Sequence, residues 1–93
     1  MMALSQPARF GEDWSDERVR GYLDREPPAG ENADFHVLLT AYKHMRVDDF
    51  ARFLVHFRAA GRDVAARNRD GRSLLDLVRE HPQSAGFAQL LGG

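Results

Sequence analysis

Phe35, Leu38, Leu39 and Tyr42 stand at positions i, i+3, i+4 and i+7, the spacing that lines one face of an α-helix. Val37 and Ala41 widen that stripe, so this helix is expected to be packed on more than one side. Phe50, Phe53, Leu54 and Phe57 repeat the spacing, and their three phenylalanines make theirs the expected core helix. Val19, Tyr22 and Leu23 give a shorter stripe, which predicts a helix over about 16–25. Leu74, Leu75, Leu77 and Val78 form a fourth apolar face, and Phe87, Leu90 and Leu91 a fifth. The pattern predicts an all-α protein of about five helices.

The residues between these faces punctuate the chain. Ser15 is placed to cap the first helix, with Asp16 and Glu17 where the helix dipole favours acids. Trp14 and Val19 are spaced for a hydrophobic staple across that start. Pro27-Pro28 removes two donors and pushes Glu26 out of helical geometry, so a rigid loop follows. Asn32 or Asp34 caps the second helix, which ends near His44-Met45-Arg46. Asp48 is the expected cap of the third, and Gly61 suits its C-terminal end. From Arg62 to Arg72 the helical period is lost. Asn68-Arg69-Asp70-Gly71 carries a strong turn signal, which predicts an extended excursion that doubles back tightly. Ser73 with Asp76 is a capping-box variant. His81 precedes Pro82, where the fourth helix should stop, and Ser84 is the expected cap of the last.

Residues 37–54 align with 74–91 at an offset of 37. Val37-Leu38 falls on Leu74-Leu75, Ala41 on Val78, His44 on His81, Phe50-Ala51 on Phe87-Ala88, and Phe53-Leu54 on Leu90-Leu91. Val19, Tyr22 and Leu23 echo Phe50, Phe53 and Leu54, as the second half of a leading pair. A repeated unit of this length predicts a short stack of helical hairpins.

The stretch from Ala60 to Leu77 resembles the junction between two ankyrin repeats. Gly61, Asp63, Val64, Ala66, Gly71 and Leu75 match that pattern; Ser73, Leu74, Asp76 and Ala65 stand where the family prefers Thr, Pro, His and Asn. The resemblance covers residues 53–81, and the turn after the fourth helix has Pro82 in place of the family's Gly. It implies a diverged, ankyrin-like stack in which the charged excursion projects as a finger. Partners of such domains bind the fingers and inner helices. The resemblance thus points to Arg62, Arg67, Asn68, Arg69, Asp70 and Arg72 on the finger, with His36, Thr40 and Lys43 on the first inner helix. The whole chain also resembles a family of small uncharacterised proteobacterial proteins, which brings no function with it.

Ninety-three residues suffice for one domain and one core. Residues 1–13, with Pro7 and Gly11 and no sustained period, are expected to be a flexible arm, and residues 14–93 the domain. No cysteine is present, no apolar run reaches the roughly 18 residues of a membrane span, and no signal peptide is apparent, so a cytoplasmic monomer is expected. The formal net charge of −1 is unevenly spread. Residues 1–34 carry four Arg against eight Asp and Glu, whereas residues 58–72 carry five Arg against Asp63 and Asp70. That middle stretch predicts a basic surface for an acidic protein partner. The alternative is RNA or another polyanion on the Arg cluster 58–72, against which stand the lack of interleaved aromatic residues and the near-neutral total.

Nothing in the sequence points to catalysis. The histidines, His36, His44, His56 and His81, never stand four residues apart as a helical metal pair would. Phosphate loops and dinucleotide fingerprints are missing. Ser15, Ser73 and Ser84 sit at helix starts, and Asp48-Asp49 is accounted for by the helix dipole. The expectation is a non-enzymatic interaction module with no catalytic residue, no metal and no cofactor.

Overall fold

The computed structural model describes residues 14–92; the expected N-terminal arm lies outside them. Five α-helices follow in order: α1 (Asp16–Gly21), α2 (Ala33–His44), α3 (Val47–Ala59), α4 (Leu74–Val78) and α5 (Ala85–Leu90). A 3-10 turn at Tyr22–Asp24 extends α1, and another at Pro82–Ser84 leads into α5. The described residues contain no β-strand; one isolated antiparallel bridge joins Arg67 and Ser73.

The helices form two layers. α1 and α5 both pack on α3, while the 3-10 turn at 22–24 and α4 both pack on α2. α2 and α3 make one hairpin across the Met45-Arg46 connection, and α4 and α5 make the next. Between the layers Phe35, Leu38, Phe50, Phe53, Leu54, Phe57 and Leu74 are essentially inaccessible to solvent. Each such side chain contributes roughly 1.5–3 kcal/mol on burial. Some positions one repeat apart share their surroundings: Val37 and Leu74, Ala41 and Val78, and Leu54 and Leu91 are all buried, while His44 and His81 are both exposed; others do not, since Leu38, Phe50 and Phe53 are buried where Leu75, Phe87 and Leu90 are half-buried.

The two hairpins differ in length. α4 has five residues where α2 has twelve. The finger uses up the residues that would form α4's first turn, and Pro82 bars its continuation.

Three helix starts follow the sequence reading. Ser15 accepts from Arg18 N–H, Asn32 from Phe35 N–H, and Ser73 and Asp76 close a reciprocal capping box. Two do not. The N-cap of α3 is Arg46, not Asp48, because the two-residue connection restarts the helix at Val47. Ser84 occupies the N-cap position of α5, but its hydroxyl makes no capping bond. The 3-10 turn runs straight into α5, and the Ser84 hydroxyl meets the Tyr42 hydroxyl at 2.7 Å instead.

Candidate interaction site

The excursion after α3 is held to the body at its base. Asp34, in the first turn of α2, accepts from the Arg62 guanidinium at 3.3 Å and from Asp63 N–H at 3.0 Å. Arg62 also donates to the Leu23 carbonyl. The tip is organised by Asn68, whose side-chain oxygen accepts from the N–H groups of Asp70 and Arg72. Asn68 N–H donates to the Arg72 carbonyl at 2.8 Å, and Gly71 N–H returns to Asn68. Gly71 takes φ +79°, a left-handed conformation that L side chains resist.

The finger arginines do not stand free. Arg67 donates to the Gly71 carbonyl and faces Asp76 at 3.9 Å. Arg69 reaches across to the carbonyls of Ala29 and Gly30. Arg72 donates to Glu80 and to the Asp76 carbonyl, and Glu80 raises its already high pKa. Arg58 lies apart from the finger, against the Leu90 carbonyl at 3.3 Å. Hydrogen bonding from Ser73 holds the Asp76 carboxyl below its usual value, against an opposing push from burial.

Arg69 thus clasps the finger to the Pro27-Pro28 loop. Between them lies an open groove of about 450 Å³. Leu39 of α2 and Leu77 of α4 line it, with Pro28 and Glu31 on one rim and Asn68, Arg69 and Asp70 on the other. Its existence could not be read from one-dimensional periodicity, because it needs the loop before α2 and the loop before α4 side by side.

On α2, His36 pairs with Glu31 at 2.8 Å, and the Thr40 hydroxyl donates back to the His36 carbonyl. Lys43 is exposed. The structure brings Asn68, Arg69 and Asp70 to the groove and puts His36 beside it through Glu31. Arg67 and Arg72 turn toward α4, and Arg62 toward the 3-10 turn at 22–24 and α2. A second cleft, of about 470 Å³, lies at the α4–α5 turn among Tyr42, His81, Pro82, Gln83 and Ser84.

One cluster escaped the sequence reading. Asp49 is fully buried; it accepts from Arg46 at 3.2 Å, Arg52 at 3.1 Å and the backbone N–H of Trp14 at 3.3 Å. Burial pushes its pKa up, but those donors outweigh burial and hold it below the usual value. Arg52 also donates to the Trp14 carbonyl. Asp16 faces His56 at 3.0 Å, a hydrogen bond that lowers its pKa, and Arg52 at 3.6 Å. The helix dipole therefore does not account for Asp49, which ties the start of the described chain to α3. Arginines at i−3 and i+3 from it were the available signal.

Among the described residues no group of three His, Asp or Glu side chains is arranged to hold a metal ion. No helix among them is long and apolar enough to cross a membrane. No family model matches the chain, and no significant match is found among curated proteins or solved structures.

Proposed function

We propose that this protein is a non-enzymatic, cytoplasmic interaction module that binds another protein through the groove between its finger and the Pro27-Pro28 loop. The observation that carries the reading is the meeting of Leu39 and Leu77, from two successive inner helices, beneath two clasped loops. Apolar floor with polar rim is the usual anatomy of a protein contact. The pairing of α2 with α4 and of α3 with α5 supports the ankyrin-like reading of the sequence, in which fingers and inner helices meet partners. Arg69 gives the groove its positive side: its hydrogen-bond acceptors are neutral carbonyls, so its charge is left for an acidic group on the partner.

The test is affinity capture from cell extract with wild type and an Arg67/Arg69/Arg72→Ala variant. The variant should lose the partner set while keeping a cooperative thermal transition. An identical set from both proteins would remove the finger from the reading.

A further inference from the structure

Val47 and Val55 are the two large apolar side chains that stand exposed among the described residues, at 36% and 65%. Both lie on α3, with Ala51 half-buried between them and Ala59 exposed one turn further on. Val47, Ala51, Val55 and Ala59 thus form one uncharged ridge along the helix, each four residues on from the last. The other faces of α3 are occupied within the chain. Phe50, Phe53, Leu54 and Phe57 enter the core, and Asp49, Arg52 and His56 hold Trp14 and α1.

α5 borders the ridge: a Cβ at Gly86 would lie 3.1 Å from the Val47 side chain, and Arg58 donates to the Leu90 carbonyl. No Asp, Glu, Lys or Arg stands between Pro82 and Gly92, and the exposed residues of α5 are Ala85, Gly86 and Gln89. That flank can lose its water without stranding a charge.

The ridge is complementary to itself. Positions 47 and 59, and 51 and 55, are each centred on position 53. Two α3 helices antiparallel about a two-fold axis at that level set Val47 against Ala59 of the other copy and Val55 against Ala51, so large meets small along the contact. Asp48 and Arg58 share the same centre, and both are exposed. Each Asp48 carboxylate therefore comes level with the other copy's Arg58, while the two Asp48 residues stand about 15 Å of helix rise apart. A parallel pair would instead set Asp48 on Asp48 and Arg58 on Arg58.

We infer that this ridge docks a second copy of the chain, as an antiparallel two-fold pair of α3 helices. An unrelated partner would have to reproduce both the alternation of size and the order of charge; a second copy supplies them by symmetry. The pair replaces the monomer expected from the sequence. It uses the layer of α1, α3 and α5, whereas the groove is floored by α2 and α4, so the two readings can fail separately.

A helix contact of this length falls short of about 800 Å² per copy, so the pair should form between roughly 10 µM and 1 mM. Sedimentation equilibrium over that range should show a mass rising from one chain toward two and no further. Val55→Glu, at an exposed position, should weaken association about tenfold or more. Asp48→Lys and Arg58→Glu should each weaken it, and the combined variant, which restores the order of charges, should recover most of the loss. Arg69→Gln, on the groove, should associate as the wild type does. Backbone amide shifts on dilution of the wild-type protein keep the test independent of variant folding and should centre on residues 47–59 and 85–89. A single chain at every concentration, masses beyond two chains, unchanged association in Val55→Glu, no recovery in the charge-swapped variant, or shifts centred elsewhere would each overturn the inference.

Discussion

Gly30 lies against Arg69, and a Cβ at Gly30 would come within 3.0 Å of the Arg69 guanidinium. Gly30 also holds φ +84°, so the loop and the finger meet where an L side chain is opposed twice over. Gly30→Ala should therefore cost about 1–2 kcal/mol from the backbone alone. Urea denaturation measures the loss, and amide shifts at residues 67–71 should report a loosened clasp.

Asp49 governs the attachment of the N-terminal segment. Asp49→Ala leaves Trp14 N–H, Arg46 and Arg52 without their shared acceptor and should destabilise the fold by about 2–3 kcal/mol. Amide exchange should rise first in α1, which packs on α3.

The same residue gives stability a sign with pH. The folded-state pKa of Asp49 is depressed, so the unfolded chain binds its proton more readily. Its contribution is full above the unfolded carboxyl value near 3.9 and is lost as pH falls through the lower folded value. Denaturation curves should show falling stability in that acid window. Asp49→Asn should flatten part of the slope, with Asp16 and Asp76, also depressed, supplying the rest.

The bond between Tyr42 and Ser84 links α2 to the start of α5. Tyr42→Phe and Ser84→Ala should each cost about 1 kcal/mol, and the double variant less than their sum. If Ser84 instead served its own helix, the two costs would add.

The helical faces were legible because one period governs each of them: Phe35 to Tyr42 and Phe50 to Phe57 are buried or half-buried as their spacing requires. Caps at Ser15, Asn32 and Ser73 were legible because donor and acceptor lie three residues apart. The offset of 37 foretold which helices would be neighbours, since stacked units repeat their contacts. Asp49 was misread because its decisive partner, Trp14, is 35 residues away. The clasp made by Arg69 was not legible because Ala29 is 40 residues away and offers only a backbone oxygen, which composition does not register. Side-chain to backbone bonds over such distances leave no periodic trace.

The central claim is that partners seat in the groove lined by Leu39 and Leu77. Photo-crosslinking tests it most directly, with a photoreactive residue placed at Leu39, at Leu77, or at Val55, which lies on α3 with 65% of its surface exposed. The account predicts discrete adducts to the same partner protein from positions 39 and 77 and none to it from 55. Adducts to that partner from position 55 with none from the groove would contradict it.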